Sequence, residues 1–322
     1  DMSDSAGTLW MDIAARDWHG PLLEACGLSV DHMPRLYEGT QETGILRQEA
    51  AEAWGMARVP VVAGGGDNAA GAIGAGVVDE GDSLLSLGTS GVIFVAGRTF
   101  RANPASAAHA FCHALPDRWH LMSVMLSAAS CLDWACTLTQ TKDAEHLIAL
   151  AQTEAEIGCT EQFLPYLSGE RTPHNNPHAN GVLFGMGHDT SAAQIAQAVL
   201  EGVAFGMADG FDALLEAGAD VHSLSVIGGG SQSTYWGRIL AAVLERPLVY
   251  RDGAATGPAL GAARLARFTR LDLPYDEAFE APTVLDVVEP HEVDIERLAP
   301  KRAQCSRLYS KLKTEFTGGL HG

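Results

Sequence analysis

An α/β fold, in two domains or in one large domain with insertions, is what this sequence of 322 residues predicts. Three observations carry that reading. A short apolar run is twice followed by a glycine cluster and then a helical stretch, at Val61–Gly76 and at Leu224–Leu244. Thirty-five glycines and many alanines suit tight strand–helix turns better than an all-β sandwich. Hydrophobic residues make up 47% of the chain, enough to bury a large core.

The first elements are short. Leu9–Ile13 reads as a strand, and Trp18–Cys26 as a helix stopped by Gly27. Val30–Leu36 leads into a loop, Glu49–Trp54 is a helix ending at Gly55, and Val59–Ala63 is a strand of the buried kind. Gly64, Gly65 and Gly66 follow, where the backbone can take positive φ and let another molecule come close. Asp67 and Asn68 then open a helix of small residues. Asp67 can cap that helix, since Asp and Asn both favour the N-cap. It can equally be a functional acid at the mouth of the elbow. Asp79–Asp82 is an acidic turn and marks a domain boundary.

Leu84–Ala96 reads as a β-hairpin around Gly88-Thr89-Ser90-Gly91, which is either a plain tight turn or an anion-binding nest. Trp119–Val124 is a strand, Ser127–Leu138 an apolar helix carrying Asp133 and Trp134, and Lys142–Ile157 a more polar helix. Phe163–Pro173 is a long polar loop of the functional or lid type. Ser191–Ala217 is the longest helix, with one buried face and small Gly202 and Gly206 for close packing. Leu224–Ile227 is a strand running into Gly228-Gly229-Gly230-Ser231 and a helix over Thr234–Leu244. This second elbow carries no acid, which suits a phosphate or nucleobase rather than proton chemistry. Pro247–Tyr250 is a strand, and Gly257–Ala263 opens a helix with proline near its start. Asp272–Pro290 reads as a polar surface segment, Pro300–Phe316 as a charged amphipathic helix, and Gly318–Gly322 is expected to fray.

Forty acidic against 21 basic residues give a formal charge of −19. Such a surface repels nucleic acid and anionic membranes, so neither is an expected partner. An anionic ligand would have to be held by local donors, such as N–H groups at glycine turns and helix starts. The six cysteines show no Cys-x-x-Cys, and four of them sit in apolar surroundings as core thiols. No metal box is present in the sequence, and nothing approaches 18 consecutive apolar residues. A reduced, cytoplasmic setting is expected.

The three glycine features, Gly64–Asp67, Gly88–Gly91 and Gly228–Ser231, are neither a Walker loop nor a Rossmann fingerprint. Gly181-Val182-Leu183-Phe184-Gly185-Met186, then seven residues to Gln194-Ile195 and on to Ala198-Val199-Leu200-Glu201, resembles the C-terminal signature of the FGGY carbohydrate kinases. The resemblance runs through the whole chain. It implies an actin-like ATPase (ribonuclease H-like) fold in two domains, with the first incomplete. Residues 1–82 would be the end of the sugar-binding domain and 83–300 the nucleotide-binding domain. Residues 301–322 would form a helix and tail packing back toward the first.

The same resemblance implies site roles. Asp67 matches the catalytic base and Asn68 a sugar contact. Gly88, Thr89 and Ser90 match the turn facing the ATP phosphates. Gly229 and Gly230, with Thr234 more weakly, match the nucleoside elbow, and Ala129 and Asp133 lie on a helix bordering the nucleotide. The implied substrates are MgATP and a sugar, D-xylulose by overall resemblance, and a homodimer is common in the family. Family members begin with a strand–turn–strand carrying Asp-x-Gly-Thr, whose Asp helps hold Mg²⁺. Asp4-Ser5-Ala6-Gly7-Thr8 has the wrong spacing for it, so about the first third of the family's length is expected to be missing and no metal ligand is assigned. The alternatives are a non-catalytic remnant that binds nucleotide only, a kinase for another sugar or polyol, and an actin-like ATPase without a sugar substrate.

Overall fold

The computed structural model describes residues 1–253, 257–271 and 273–316, and the Gly318–Gly322 segment lies outside them. Residues 1–82 form short helices and two-stranded ribbons. Helix α1 (Met2–Ser5) is followed by the ribbon β1 (Met11–Asp12) and β2 (Asp17–Trp18), then by α2 (Gly20–Ala25). The expected Leu9–Ile13 strand shrinks because Leu9 turns to φ 67° and stands 81% exposed. Strand β3 (Glu42–Ile45) pairs with β4 (Pro60–Val62), and α3 (Gln48–Trp54) connects them, closed by Gly55 as expected. The reading of Val59–Ala63 as a buried strand is corrected. Among the described residues β4 pairs only with β3, whose four residues are all exposed, and Val61 itself is 41% exposed. Helix α4 (Asp67–Ala75) then leads through the Asp79–Asp82 turn, where the Asp82 carboxylate accepts from the Val78 and Asp79 N–H groups.

The core lies around a seven-stranded sheet in the order β13-β12-β11-β5-β6-β8-β7. Strands β5 (Ser83–Leu87), β6 (Gly91–Gly97), β7 (His109–Cys112) and β8 (Trp119–Met125) form its antiparallel half. Period-two alternation splits their side chains. Leu85, Leu87, Ile93 and Val95 face α5 (Ser130–Thr139), α6 (Ala144–Glu154) and α7 (Ala192–Glu216). Leu84, Phe94, Ala96 and Met122 lie on the other face, in the cluster with Ala72 of α4. Between α6 and α7, β9 (Gln162–Leu164) pairs with β10 (Val182–Phe184), so the Phe163–Pro173 loop begins as a strand and is largely buried. Helix α7 matches expectation: Ser191 and Gln194 form a capping box, and a Cβ on Gly202 would lie 2.3 Å from the Phe163 carbonyl oxygen.

Strand β11 (Leu224–Ile227) joins the sheet parallel to β5 and leads to α8 (Thr234–Leu244), both as expected. Strand β12 (Leu248–Arg251) lies parallel to β11. Helix α9 (Gly257–Leu271) crosses α4 so closely that a Cβ on Gly261 would lie 1.7 Å from the Ala70 carbonyl oxygen. That oxygen is backbone inside a helix and has little room to yield. Gly261→Ala should therefore destabilise the protein by about 1–3 kcal/mol through forced separation of the two helices. A thermal unfolding midpoint equal to wild type would refute it.

Two expectations fail at the C-terminal end. The 273–290 stretch is not plain surface coil, because it holds α10 (Tyr275–Ala278) and β13 (Val284–Val288), an edge strand antiparallel to β12. Its Leu285 is 67% exposed, so no clean alternation announced it. Helix α11 (Glu292–Leu312) starts eight residues before Pro300, which sits inside it. A proline there withholds one N–H from the helix ladder, and packing against the core overrides that cost. The main contacts of α11 are with α7, α8 and β9, whereas the resemblance placed 301–322 toward residues 1–82. The thiols of Cys112, Cys131, Cys136 and Cys305 are buried, as four core cysteines should be. No helix among the described residues is long and apolar enough to cross a membrane.

Candidate active site

Two glycine elbows leave the sheet side by side. Strands β5 and β11 are parallel neighbours, with Ser86 opposite Ile227, so the Gly88 turn and the Gly228 elbow emerge at the same sheet edge. Ligand crevices form at such carboxyl ends of strands. Gly228 sits at φ 90°, and a Cβ there would lie 2.8 Å from the Leu87 carbonyl oxygen, so the two elbows touch through backbone. The carbonyls of the first turn point to α5: Gly88 O accepts from Ala129 N at 2.9 Å and Thr89 O from Ala128 N at 2.9 Å. The exposed Thr89 and Ser90 N–H groups have no protein acceptor among the described residues. A turn whose oxygens are consumed and whose N–H groups are free is suited to an anion.

A cleft of about 770 Å³ opens over these elbows. Gly88, Thr89, Ala129, Asp133, Gly229, Gly230 and Thr234 all line it, so residues read from three separate stretches meet in one place. Ser90 lies on the same turn but is not among the lining residues. Glu145, Ile148, Ala149 and Gln152 of α6 form a wall that the sequence reading missed. Their spacing puts them on one helix face, but the stripe mixes charge and apolar groups and so gives no amphipathic signal. Leu132 and Tyr235 were missed as well.

Asp67 and Asn68 stand apart from this cleft lining. Gly66, not Asp67, is the N-cap of α4, and no side chain caps the helix. The capping reading of Asp67 is therefore corrected: among the described residues its Oδ1 accepts only from Asn68, from N at 2.7 Å and Nδ2 at 3.0 Å. Both residues are exposed. The elbow beneath them is held from far away in sequence. Gly66 N donates to Ser3 Oγ at 2.9 Å, and Ser3 in turn donates to Asp1. Asp4 Oδ1 lies 3.2 Å from where a Gly66 Cβ would stand, which places a second carboxylate beside the Asp67 elbow. Ser3 and Asp4 were missed because 63 residues separate Ser3 from Gly66.

Another carboxyl, Glu170, is buried behind the end of β8. It accepts from Leu126 N and Arg171 N, its Oε2 has no hydrogen-bond partner among the described residues, and burial pushes it up to about 7. The acids that line the cleft, Asp133 and Glu145, are not joined by any lysine or arginine. Among the described residues no group of three or more His, Cys, Asp or Glu could hold a metal ion, so these residues do not by themselves build a Mg²⁺ site.

A mixed sheet flanked by helices, with paired glycine elbows at its edge over one cleft, is an α/β architecture with a ligand crevice at its strand ends. The sequence matches the C-terminal domain of the FGGY family of carbohydrate kinases over residues 84–269 and the N-terminal domain over residues 1–74. The chain belongs to that family. It is 54% identical over 315 residues to the xylulose kinase of Escherichia coli (strain K12), and 51% identical over 314 residues to that of Klebsiella pneumoniae. Each alignment covers 97% of this chain and 65% of the relative, so the chain spans just under two thirds of the length of those proteins. The crystal structure of a xyloylose kinase from Brucella ovis superposes with a TM-score of 0.93 at 41% identity, over 98% of this chain and 65% of that one. The architecture is accordingly that of FGGY sugar kinases, consistent with the actin-like ATPase fold.

Proposed function

We propose that this chain carries the nucleotide site and the acid–base residue of an ATP-dependent sugar kinase that converts D-xylulose to D-xylulose 5-phosphate. The observation that carries the reading is the convergence of seven expected nucleotide residues on the cleft at the ends of β5 and β11. The two xylulose kinases to which the chain is 54% and 51% identical support the substrate class. In this reading ATP lies in the cleft with its phosphates toward the free N–H groups of Thr89 and Ser90. Phosphoryl transfer is mostly positioning and charge neutralisation, and a cleft without lysine or arginine leaves the neutralisation to backbone donors. Asn68 orients the sugar. Its 5-hydroxyl oxygen attacks the γ-phosphorus, the bond to the β-phosphate oxygen breaks, ADP leaves, and Asp67 accepts the hydroxyl proton. Magnesium would travel with the nucleotide phosphates.

A second reading, nucleotide binding without transfer, is favoured by one observation. The cleft is lined wholly by residues between Leu87 and Tyr235, without Asp67. One experiment separates the two. The chain is supplied with MgATP and D-xylulose, alone and together with the segment of the Escherichia coli relative that it does not span, and ADP release is followed. Sugar-dependent release under either condition supports the kinase. ADP binding with no turnover under both conditions leaves the nucleotide-only reading.

A further inference from the structure

We propose that Tyr235 is a nucleotide-binding residue whose ring is the wall against which the base lies, and that Gln197 is the positioning residue for that wall. The inference rests on the nucleotide reading of the cleft. Tyr235 is the second residue of α8 and lines the cleft. Its hydroxyl does not point there: it donates to Gln197 Oε1 at 2.7 Å, into the interior of α7. With the hydroxyl so engaged, the ring is the part of this side chain left to offer a ligand. The aliphatic Leu132, Ala144 and Ile148 line the same cleft, as do the glycines Gly229 and Gly230, which put no side chain into it. A cleft lined by an aromatic residue, aliphatic side chains and glycines is suited to a flat heteroaromatic ring.

The anchor behind the ring is built with unusual care. Gln197 is fully buried, and its Nε2 donates to Glu201 Oε1 at 2.7 Å. Glu201 also accepts from Gly158 N at 2.7 Å and is paired with Lys301 Nζ. Gln197 therefore has one amide orientation open to it, with its oxygen toward Tyr235. Burial and the charge of Glu201 push the phenol of Tyr235 up to about 12, so it remains a donor to Gln197 throughout the working pH range. The next residue, Trp236, is fully buried and donates from Nε1 to the Leu200 carbonyl at 3.1 Å. The start of α8 is thus fixed to α7 at two consecutive residues. Neither Tyr235 nor Gln197 touches a reacting atom, and their effect is on nucleotide affinity and not on the transfer step.

The test is ADP affinity by calorimetry, together with the fluorescence of bound 1,N6-etheno-ADP, which stacking on an aromatic ring quenches. Tyr235→Leu keeps an apolar side chain and removes the ring, and should weaken ADP by about tenfold or more. At saturation its bound etheno-ADP should be unquenched. Tyr235→Phe keeps the ring and loses the anchor, so the loss should stay within about threefold and quenching should persist. Gln197→Met should match Tyr235→Phe and add nothing in the double variant. ADP binding and quenching by Tyr235→Leu equal to wild type would overturn the proposal while leaving the nucleotide site intact. Failure of the wild-type chain to bind ADP would instead remove the nucleotide reading and this inference with it. Should Tyr235→Leu fold poorly, persistence of full quenching in Tyr235→Ala serves as the overturning result.

Discussion

Replacing Asp67 by Asn is expected to lower sugar-dependent ADP release by roughly 10²–10⁴-fold, the range for loss of a general base. The same change should leave stability within about 0.5 kcal/mol, as for an exposed residue without tertiary partners. The two halves of that expectation come from different observations. The large kinetic loss follows from the proposed role: Asn keeps the shape of Asp67 and its contacts to Asn68 but cannot take the hydroxyl proton. The small effect on folding follows from geometry. Asp67 is the first residue of α4, its carboxylate accepts, among the described residues, only from its own neighbour, and Gly66 holds the N-cap. An acid in the first helical turn still gains a few tenths of a kcal/mol from the helix dipole, and Asn forfeits only that. The assay is a coupled ADP measurement with D-xylulose, run beside a thermal melt. Retention of kcat within threefold would remove Asp67 from the chemistry. A melt lowered by several degrees with kcat intact would return it to a structural role.

Asp67 also marks how far the sequence could be read. The acid, its glycines and the helix after them were legible, because an elbow of three glycines has few structural uses. The choice between cap and acid was not, since N-cap and N1 differ by one residue and the same side chain suits both. Ser3 and Ala114, which close on Gly65 and Gly66, come from distant parts of the chain, and no local pattern links them. The sheet was legible where strands are buried on both faces, as in β5, β6 and β11. Strands were illegible at β13 of that sheet and at β3 of the separate ribbon, whose pairing is decided by a neighbouring strand and whose residues stay largely exposed. In the cleft, residues on glycine turns were found and the α6 wall was not. Turn chemistry is written in residue type, whereas a helix wall is written only in which way the helix faces.

The family signature acquires a physical meaning from the same comparison. Gln194 closes the capping box of α7, a Cβ on Gly181 would lie 2.5 Å from Leu167 Cδ2, and Glu201 is fully buried. None of the three lines the cleft. The signature that revealed the family is a packing motif, and its link to the cleft lining runs through Glu201 to Gln197 and Tyr235.

That link makes Lys301→Met the substitution with the largest expected cost in stability, about 3–5 kcal/mol. The side chain of Lys301 is 6% exposed and that of Glu201 0%, so neither water nor salt screens the pair. Removing the ammonium leaves a carboxylate facing Gly158 N and Gln197 Nε2, two neutral donors that cannot balance a buried charge. Because α11 contributes Lys301, the loss is also a loss of docking of that helix onto α7. The neighbouring Arg238–Asp294 pair between α8 and α11 cannot compensate, since its arginine is about half exposed and already committed. Urea unfolding at neutral pH gives the measurement, with a lower midpoint and an unchanged slope marking a true stability loss. The double variant Lys301→Met with Glu201→Gln should regain a large part of the cost, because a neutral amide replaces the stranded charge. A single variant within 1 kcal/mol of wild type, or a double variant no better than the single, would show that the buried pair does not hold α11 in place.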